Sequence, residues 1–344
     1  MIISSVQAQT EADEIGAELI DTGADLEVRP FQIEAAQHGQ RLDIALVHLL
    51  PEFSRNFLQQ LIEAGAVTFA GARASKPSSR VKVGAMGVVE LRPTAQSQAY
   101  KAETIALDVV YSDDHLLVVN KPAGLVVHPA PGNWSGTLLN ALLGLDARAS
   151  TIPRAGIVHR LDKNTSGLMM VARTRSCMDA LVRMIADRSV SRQYLALTAT
   201  PWIGPANREV QAAIGRDPRN RLRMAVVDLD RSAGKEAKTT LSVLDSNPHG
   251  SLVRCTLHTG RTHQIRVHMA SIGLPILADE VYGGKQVSTM PRQALHAFRL
   301  GFIHPVSQVD LQFHAPPPRD FNDAMVGLGL RYNESEARNL VSVP

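Results

Sequence analysis

The sequence lacks the features that mark secreted, membrane-spanning or disulfide-rich proteins. It contains two cysteines, Cys177 and Cys255, which are too few for a disulfide framework or a zinc site. No apolar run approaches the roughly 18 residues that begin to span a membrane. The N-terminus has no basic start followed by an apolar stretch, so we expect no secretory signal. These absences predict a cytoplasmic protein without a membrane anchor.

Motifs for nucleotide cofactors and metals are also missing. Neither G-x-G-x-x-G nor G-x-x-x-x-G-K-[ST] occurs. His263 and His268 are five residues apart, about 140° around a helix, so they do not share a face as an i,i+4 metal pair would. The stretch HRLDKN is similar to a protein-kinase loop, but a leucine intervenes and Asn164 follows Asp162 too closely. The sequence therefore predicts no metal and no cofactor.

The charge of the chain is unevenly distributed. Residues 1–34 carry eight acids and one base, without periodic apolar positions, which predicts a disordered acidic tail. Beyond this segment the net charge is about +10, although the whole chain is only +3. A basic body is typical of proteins that bind polyanions such as nucleic acid. Charge alone is equally explained by a need for solubility.

Residues 35–92 have the pattern of a small basic unit. Leu42, Ala45, Leu46 and Leu49 share one helical face, and Ser54 is placed to cap a second helix. Short strands follow, and the unit resembles the S4 RNA-binding domain over about residues 38–92, through "SR..LQQLIEAGAV" and "KPSSRVKVG". An ordinary solvated face is the alternative explanation. The resemblance implies these RNA-binding bases: Arg41, Arg55, Arg73, Lys76, Arg80 and Lys82.

A polar linker over 93–104 precedes a large unit over 105–330, and we expect a poorly ordered tail over 331–344. Strand-like runs such as LLVVNK and GLMMVA alternate irregularly with helical stretches, and several connections are short. This pattern predicts an α+β fold with a mixed, mainly antiparallel sheet.

Asp162 is the first candidate for chemistry in the large unit. It lies in a turn between two strand-like runs and is flanked by Arg160 and Lys163, which would keep its carboxylate ionised. The hydroxyl and amide residues that follow can bond the backbone, so this turn by itself favours a structural role.

Two further stretches carry candidate residues. Tyr194 lies in SVSRQYLALT, which has the pattern of a strand. A tyrosine in a strand usually packs in the core or at the edge of the sheet. RCTLHTGRTHQIRVHMASIGLP holds three arginines and three histidines; Thr262 is placed to cap a helix that carries Arg266 in its first turns.

Together, these motifs identify a family. HRLDKNTSG, RQYLAL and TGRTHQIRVHMASIG, in this order, closely resemble the catalytic motifs of the RluA/RluD-type pseudouridine synthases. YSDDHLLVVNKPAGLVVHP and QALHAFRLGFIHP match as well, so the resemblance covers about residues 38–320. IPRAG and GRDPRNRLRMAVV are most similar to the member that modifies the helix 69 stem-loop of 23S ribosomal RNA. One departure is Ala278 in LADEVYGG, where we expect glycine and an effect on packing rather than catalysis.

The resemblance implies a pseudouridine synthase fold and a role for each matching residue. Asp162 would be the catalytic aspartate, Tyr194 would stack on the target base and assist proton removal from C5, and Arg266 would hold Asp162 ionised. Residues expected to shape the pocket or contact RNA are His159, Arg160, Lys163, Arg261, Thr262 and His263. Basic segments expected to hold phosphates contain Arg208, Arg216, Arg219, Arg221 and Arg223.

Pseudouridine formation is an isomerisation, which agrees with the missing cofactor motifs. The ionised Asp162 can attack C1′, add to C6 or remove the 2′ proton, and the sequence does not separate these routes. Other large-subunit uridines, of the RluC type, are an alternative target. Two other functions remain as rivals. A nucleosidase would need a second carboxylate, and a non-catalytic ribosome-assembly factor would leave the three catalytic residues unexplained. We expect a monomer whose partner is large-subunit ribosomal RNA or a precursor particle.

Overall fold

A computed structural model describes residues 27–92, 97–130, 132–220 and 223–332. The chain divides into two compact units, Met1–Gln98 and Ala99–Pro344. The finer boundaries expected at residues 34, 92, 104 and 330 stay predictions. Of the expected acidic tail, residues 1–26 lie outside the described residues, whereas Val28–Gln32 forms a strand. In the described residues, no helix has the length and apolar character needed to cross a membrane.

The N-terminal unit is a small sheet with two helices. In chain order its elements are β1 (Val28–Gln32), α1 (Leu42–Leu49), α2 (Arg55–Glu63), β2 (Val67–Phe69), β3 (Ala72–Arg73) and β4 (Met86–Glu90). The antiparallel strands lie in the order β1-β4-β2-β3. Ser54 caps α2 as predicted, since its side chain accepts a hydrogen bond from Phe57 N at 3.3 Å. Leu58, Leu61 and Ile62 are fully buried on the inner face of this helix.

The large unit contains the remaining elements. These are β5 (Asp108–Ser112), β6 (Leu116–Lys121), α3 (Leu138–Leu145), β7 (Ser166–Ala172), α4 (Arg175–Ala186), β8 (Ser191–Thr198), β9 (Asn207–Gln211), β10 (Ile214–Arg216), β11 (Met224–Val226), β12 (Gly234–Lys235), β13 (Lys238–Asn247), β14 (Gly250–Leu257), α5 (Gln264–Ser271), β15 (Leu295–Ile303), β16 (Asp310–His314) and α6 (Arg319–Gly327). Single 3-10 turns lie at Ala147–Thr151 and Pro153–Gly156.

Nine strands of this unit form one sheet in the order β5-β6-β7-β15-β8-β14-β13-β9, with β16 also paired to β15. Only β7 and β15 pair in parallel, and the other described pairs are antiparallel. The predicted mixed, mainly antiparallel sheet is therefore confirmed. A separate three-stranded sheet has the order β11-β10-β12.

The central strands are buried on both faces of the sheet. In β6, Leu117 and Val119 belong to the larger apolar cluster, whereas Leu116 and Val118 belong to a second one that includes residues of α4. Successive side chains of a strand point to opposite faces, so a run without polar alternation indicates that both faces are covered. This rigid, two-sided core carries the loops in which the candidate site lies.

Candidate active site

Asp162 lies in a tight turn that leads directly into β7. The turn is closed by a hydrogen bond from Thr165 N to the carbonyl oxygen of Asp162, at 3.1 Å. Just beyond it, Gly167 has φ +116°, and a side chain there would come within 2.2 Å of Ala297 O on β15. Glycine at this position lets the two parallel strands approach each other, which fixes the position of the turn.

Three buried side chains also hold this turn. Lys121 Nζ donates to the carbonyl oxygen of Lys163 at 3.1 Å, and Arg292 Nη1 donates to that of Asn164 at 2.8 Å. His296 Nδ1 lies 2.9 Å from the hydroxyl of Ser166. Because the turn is held from β6, from β15 and from the segment before β15, Asp162 is presented by a fixed backbone rather than a free loop.

Arg266 connects Asp162 to a second carboxylate, Asp279. Its Nη1 donates to Asp162 Oδ2 at 3.0 Å, while Nε and Nη2 donate to the two oxygens of Asp279 at 2.7 and 2.8 Å. The Asp279 side chain is fully buried, whereas that of Asp162 is 17% exposed. Burial by itself would lower the pKa of Arg266, but its bonds to Asp279 and Asp162 raise it above the usual range. Arg266 is thus a permanent cation beside Asp162.

A tyrosine and a histidine complete this network. The Tyr282 ring lies 5.0 Å from the guanidinium carbon of Arg266, and its hydroxyl lies 2.9 Å from His263 Nδ1. His263 Nε2 is 3.8 Å from Asp162 Oδ2. Burial, followed by the opposing effects of Asp162 and Arg266, leaves the pKa of His263 below its ordinary value. At neutral pH the imidazole is therefore a neutral neighbour of Asp162.

The predicted cap of α5 is wrong. The residue before the helix is His263 rather than Thr262, and it has a left-handed backbone with φ 56° and no side-chain cap. Gln264 stabilises the start instead, since its Oε1 accepts from Arg261 N at 3.0 Å. This conformation places the His263 ring against Tyr282, a contact that helical spacing does not predict.

A cavity of about 690 Å³ opens over Asp162 and is of the size of small-ligand sites. Of the described residues that line it, Asp162 is the one carboxylate, whereas six are arginines. These arginines are Arg154, Arg160, Arg188, Arg192, Arg261 and Arg266. The arginines of this cavity would attract a polyanionic substrate. Among the described lining residues, Asp162 is the one carboxylate that such a substrate would meet.

Tyr194 lies on β8 and lines the same cavity with only 5% of its surface exposed. Burial raises the pKa of its phenol to about 12. At neutral pH the group is therefore a neutral hydroxyl. The Tyr194 ring comes from β8 and the Asp162 carboxylate from the turn before β7, and both line one cavity.

The predicted RNA contacts of the large unit are not all at the cavity. His159, Arg160, Arg261, Thr262 and His263 line it, whereas exposed Lys163 does not belong to its lining. His159 Nε2 accepts from Met170 N at 3.1 Å, and burial lowers the pKa of this imidazole to about 3. His159 therefore acts as a neutral acceptor that supports β7.

The predicted phosphate contacts lie on and beside the strands β9 to β11. Arg208, Arg216 and Arg219 are exposed. Arg223 Nε donates to Asp217 Oδ2 at 2.5 Å, so part of its charge is already compensated. Arg221 lies outside the described residues.

Two of the predicted bases in the N-terminal unit bind a buried carboxylate. Arg41 and Arg55 donate to Asp43, which is fully buried and also accepts from Gln59 Nε2 at 2.5 Å. Burial raises the pKa of Asp43, but these three donors outweigh it and hold it below its usual range. Arg41 and Arg55 therefore have a structural role besides any contact with RNA. Arg73, Lys76, Arg80 and Lys82 are exposed.

Sequence reasoning missed several residues of this site, chiefly Asp279, Tyr282, Lys121 and Arg192. Only the run LADEVYGG gave a signal for the first two, because it combines an acid and an aromatic with a pair of glycines. Lys121 is fully buried in an otherwise apolar strand, a combination that needs a structural explanation. In the described part of the chain, no group of three or more His, Cys, Asp and Glu is arranged to hold a metal ion.

Sequence comparison identifies the two units separately. The model of the family described as RNA pseudouridylate synthase matches residues 115–271, and the S4 domain model matches residues 40–86. A protein of Neisseria meningitidis serogroup B named ribosomal large subunit pseudouridine synthase D is 47% identical over 293 residues, which cover 82% of this chain and 77% of that protein. One of the same name from Nitrosomonas europaea is 46% identical over 292 residues, covering 82% of each chain.

Solved structures agree with this assignment. Human RNA pseudouridylate synthase domain containing 1 is 27% identical, with a TM-score of 0.54, and covers 71% of this chain and 98% of its own. The motifs, the fold and the relatives therefore coincide. The predicted resemblance is confirmed, and the chain belongs to the RNA pseudouridylate synthase family, whose members are isomerases.

Proposed function

We propose that this enzyme isomerises uridines of 23S ribosomal RNA in the helix 69 stem-loop, with Asp162 as the catalytic group. The names of the relatives designate the large ribosomal subunit, and the motifs at 152–156 and 215–227 favour helix 69 within it. The substrate is ribosomal RNA or a precursor particle, so the enzyme acts in the cytoplasm. We propose that it acts as a monomer.

The observation that carries this proposal is the pairing of Asp162 with Arg266 at the floor of a cationic cavity. Arg266 donates to Asp162 at 3.0 Å and places its guanidinium charge beside this carboxylate. The arginines around the cavity attract the RNA backbone. The target uridine must leave its stack to reach Asp162, because base chemistry inside a helix is inaccessible.

The reaction breaks the C1′–N1 bond, turns the uracil and joins C5 to C1′, after which the C5 proton is lost and N1 gains one. Atoms and electrons balance without an external reactant. Each of the three possible first steps (attack on C1′, addition to C6 or removal of the 2′ proton) needs Asp162 as a carboxylate. Tyr194, with its pKa of about 12, stays a phenol in this reaction and offers a ring face to the base and a hydroxyl to C5.

A nucleosidase is disfavoured by the arrangement of carboxylates. Hydrolysis at C1′ generally uses a second carboxylate that faces the sugar. Asp279 does not line the cavity, since it is fully buried and engages Arg266 through both oxygens. Release of free uracil from the RNA would nevertheless identify a nucleosidase, and this product is measured in the same experiment.

The test maps pseudouridines in unmodified large-subunit RNA, both free and in particles. Wild type is compared with Asp162→Asn and with the matched variant Asp114→Asn, which makes the same carboxylate-to-amide change at a side chain that is 91% exposed. Carbodiimide labelling followed by reverse transcription locates each product. RNA affinity is measured for the three proteins by filter binding.

We expect stops in the helix 69 loop with wild type and Asp114→Asn and none with Asp162→Asn, whose RNA affinity should change less than about threefold. Stops at other large-subunit uridines would show that the protein is a pseudouridine synthase with a different target. Release of free uracil would show that the protein is a nucleosidase rather than an isomerase. An absence of Asp162-dependent products together with tight RNA binding would make the chain an assembly factor and overturn the proposal.

A further inference from the structure

Arg192 lies on β8 two residues before Tyr194, so both side chains point to the same face of the sheet. Both line the cavity above Asp162. Arg192 is only 5% exposed, which is unusual for an arginine. The guanidinium therefore belongs to the interior of the site rather than to its rim.

Within the described part of the chain, this guanidinium has no counter-ion. Its Nε is buried without a hydrogen-bond partner, and no described residue forms an ion pair with it. Of the other buried arginines described in the large unit, Arg266 pairs with Asp162 and Asp279, and Arg292 pairs with Asp320. The third, Arg254, donates to the Ser242 hydroxyl at 3.4 Å. An unpaired buried charge is costly for folding and persists where a ligand supplies the missing anion.

The surroundings of Arg192 add positive charge and space. Arg160, Arg188 and Arg261 line the same cavity. His159 and His258 have lowered pKa values, with burial as the main cause and Arg192 as a further one. Gly260 leaves room beside the guanidinium, because a Cβ there would lie 2.9 Å from Nη1. Among the residues that the structure describes here, none supplies the negative charge that Arg192 lacks.

We propose that Arg192 binds a phosphate of the substrate RNA next to the flipped uridine. A flipped nucleotide carries a phosphate on each side, and the planar guanidinium offers paired donors that match phosphate oxygens. A neutral uracil oxygen would leave the buried charge uncompensated. The contact orients the nucleotide so that its base reaches Tyr194 and its sugar reaches Asp162. This inference rests on RNA as the substrate, as the proposed function has it.

The test is a double-mutant cycle between Arg192 and single phosphates. The RNA is the segment in which mapping locates the wild-type product, so the cycle can be run whether or not helix 69 is the target. One methylphosphonate replaces the phosphate either 5′ or 3′ of the target uridine, which removes its charge. Single-turnover kcat/KM is measured for wild type, Arg192→Met, Arg192→Lys and the control Arg188→Met, which changes an exposed arginine of the same cavity.

We expect one methylphosphonate to lower the wild-type kcat/KM by about 10- to 100-fold. Arg192→Met should lower kcat/KM by a similar factor on normal RNA. On the RNA with that methylphosphonate, Arg192→Met and wild type should have equal kcat/KM. Arg192→Lys should lower kcat/KM on normal RNA by a smaller factor. Arg188→Met should show a smaller loss that multiplies with the methylphosphonate effect. If the loss caused by Arg192→Met multiplies with the loss caused by the methylphosphonate at both positions, the proposal is overturned. The same result is expected if Arg192 contacts the base instead of a phosphate.

Stability separates this contact from a structural role. Because Arg192 lacks a partner in the free protein, Arg192→Met should unfold at the same or a higher urea concentration than wild type. A lower midpoint, combined with kinetic losses that multiply, would make Arg192 a structural residue.

Discussion

Asp279 binds Arg266 through both of its carboxylate oxygens, at 2.7 and 2.8 Å, and leaves Nη1 of the guanidinium for Asp162. Asp279 also accepts hydrogen bonds from the backbone N–H groups of Val281 and Tyr282, at 3.1 and 3.3 Å. The buried acid is therefore fixed, and it fixes the cation that faces the cavity. Asp279 therefore holds Arg266 in place and does not line the cavity.

We predict that Asp279→Asn lowers kcat by about 10- to 100-fold and leaves RNA affinity within about threefold, because a neutral amide cannot accept two bonds from Arg266. The free energy of unfolding should fall by about 3 kcal/mol, since a buried charge loses its partner. Rapid-quench kinetics and urea denaturation check both expectations. Glu280→Gln, at the exposed neighbouring acid, is the matched control and should behave as wild type. Unchanged turnover in Asp279→Asn would show that Asp162 orients Arg266 without help.

Tyr194→Phe should lose most of its turnover while RNA affinity stays nearly unchanged, because the aromatic ring that lines the cavity is kept and only the hydroxyl is removed. Burial raises the pKa of Tyr194 to about 12, so wild-type activity should show no loss from phenol ionisation up to about pH 10. Single-turnover rates between pH 6 and 10 measure both effects. Equal turnover for the two proteins would remove the hydroxyl from the chemistry.

Lys121 has all three donor positions engaged, with the carbonyl oxygens of Pro122, Leu125 and Lys163 at 2.9, 2.9 and 3.1 Å. We predict that Lys121→Met lowers kcat by at least about tenfold, because the turn that carries Asp162 loses a support and buried acceptors are left without donors. The exposed Lys285→Met is the control. Equal rates for wild type and Lys121→Met would show that the other contacts hold the turn.

The same lysine predicts how stability depends on pH. Burial is the main cause that lowers the pKa of Lys121 to about 7. Between pH 7 and the unfolded value near 10.4, the unfolded chain holds more protons, so the free energy of unfolding rises with pH, by up to about 1.4 kcal/mol per unit. Urea titrations of wild type minus Lys121→Met should show this rise between pH 7 and 9. A flat difference would mean that Lys121 keeps an ordinary pKa in the fold.

The parts of the fold that sequence predicted are those fixed by local patterns. Ser54 caps its helix through a bond from Phe57 N, because a hydroxyl at that position meets a free N–H group. Apolar runs such as residues 116–119 predicted strands, and the structure shows that these residues are buried. The family motifs predicted that Asp162, Tyr194 and Arg266 would share a site, and all three line one cavity.

Contacts across long stretches of sequence were beyond such patterns. Arg266 and Asp279 are 13 residues apart and meet because the chain turns back after α5, which no helical or strand period describes. The departure at Ala278 was expected to affect packing. The structure gives this residue a left-handed backbone with φ 58°, which favours glycine, immediately before Asp279. Partners of this kind depend on tertiary packing rather than on local preference.

The exposed bases of the N-terminal unit should contribute to RNA affinity through charge. We predict that the triple variant Arg73→Gln, Lys76→Gln and Lys82→Gln weakens RNA binding and reduces the slope of log affinity against log salt by up to about 2. Its urea midpoint should not change, because these side chains are exposed. Arg55→Ala should instead lower stability, since Arg55 bonds the buried Asp43 at 2.8 Å. An unchanged salt slope in the triple variant would place the RNA contacts of this unit elsewhere.

His296 predicts acid sensitivity near the active-site turn. It is buried, with Nδ1 at the Ser166 hydroxyl and Nε2 at Ala315 O, and burial followed by Arg292 lowers its pKa to about 4. Below pH 6.5 the His296 imidazole is protonated in the unfolded chain but stays neutral in the folded chain. The stability that is present above pH 6.5 is therefore lost as the pH falls toward 4.

The expected slope from His296 is about 1.4 kcal/mol per pH unit. His296→Gln keeps a donor and an acceptor but no titrating group, so its free energy of unfolding should fall less steeply between pH 6.5 and 4.5 than that of wild type. His249→Gln, at an exposed histidine, is the control and should follow wild type. If His296→Gln and wild type have the same slope, acid destabilisation arises from other buried histidines, such as His128, whose pKa is lowered to about 4, mainly by burial.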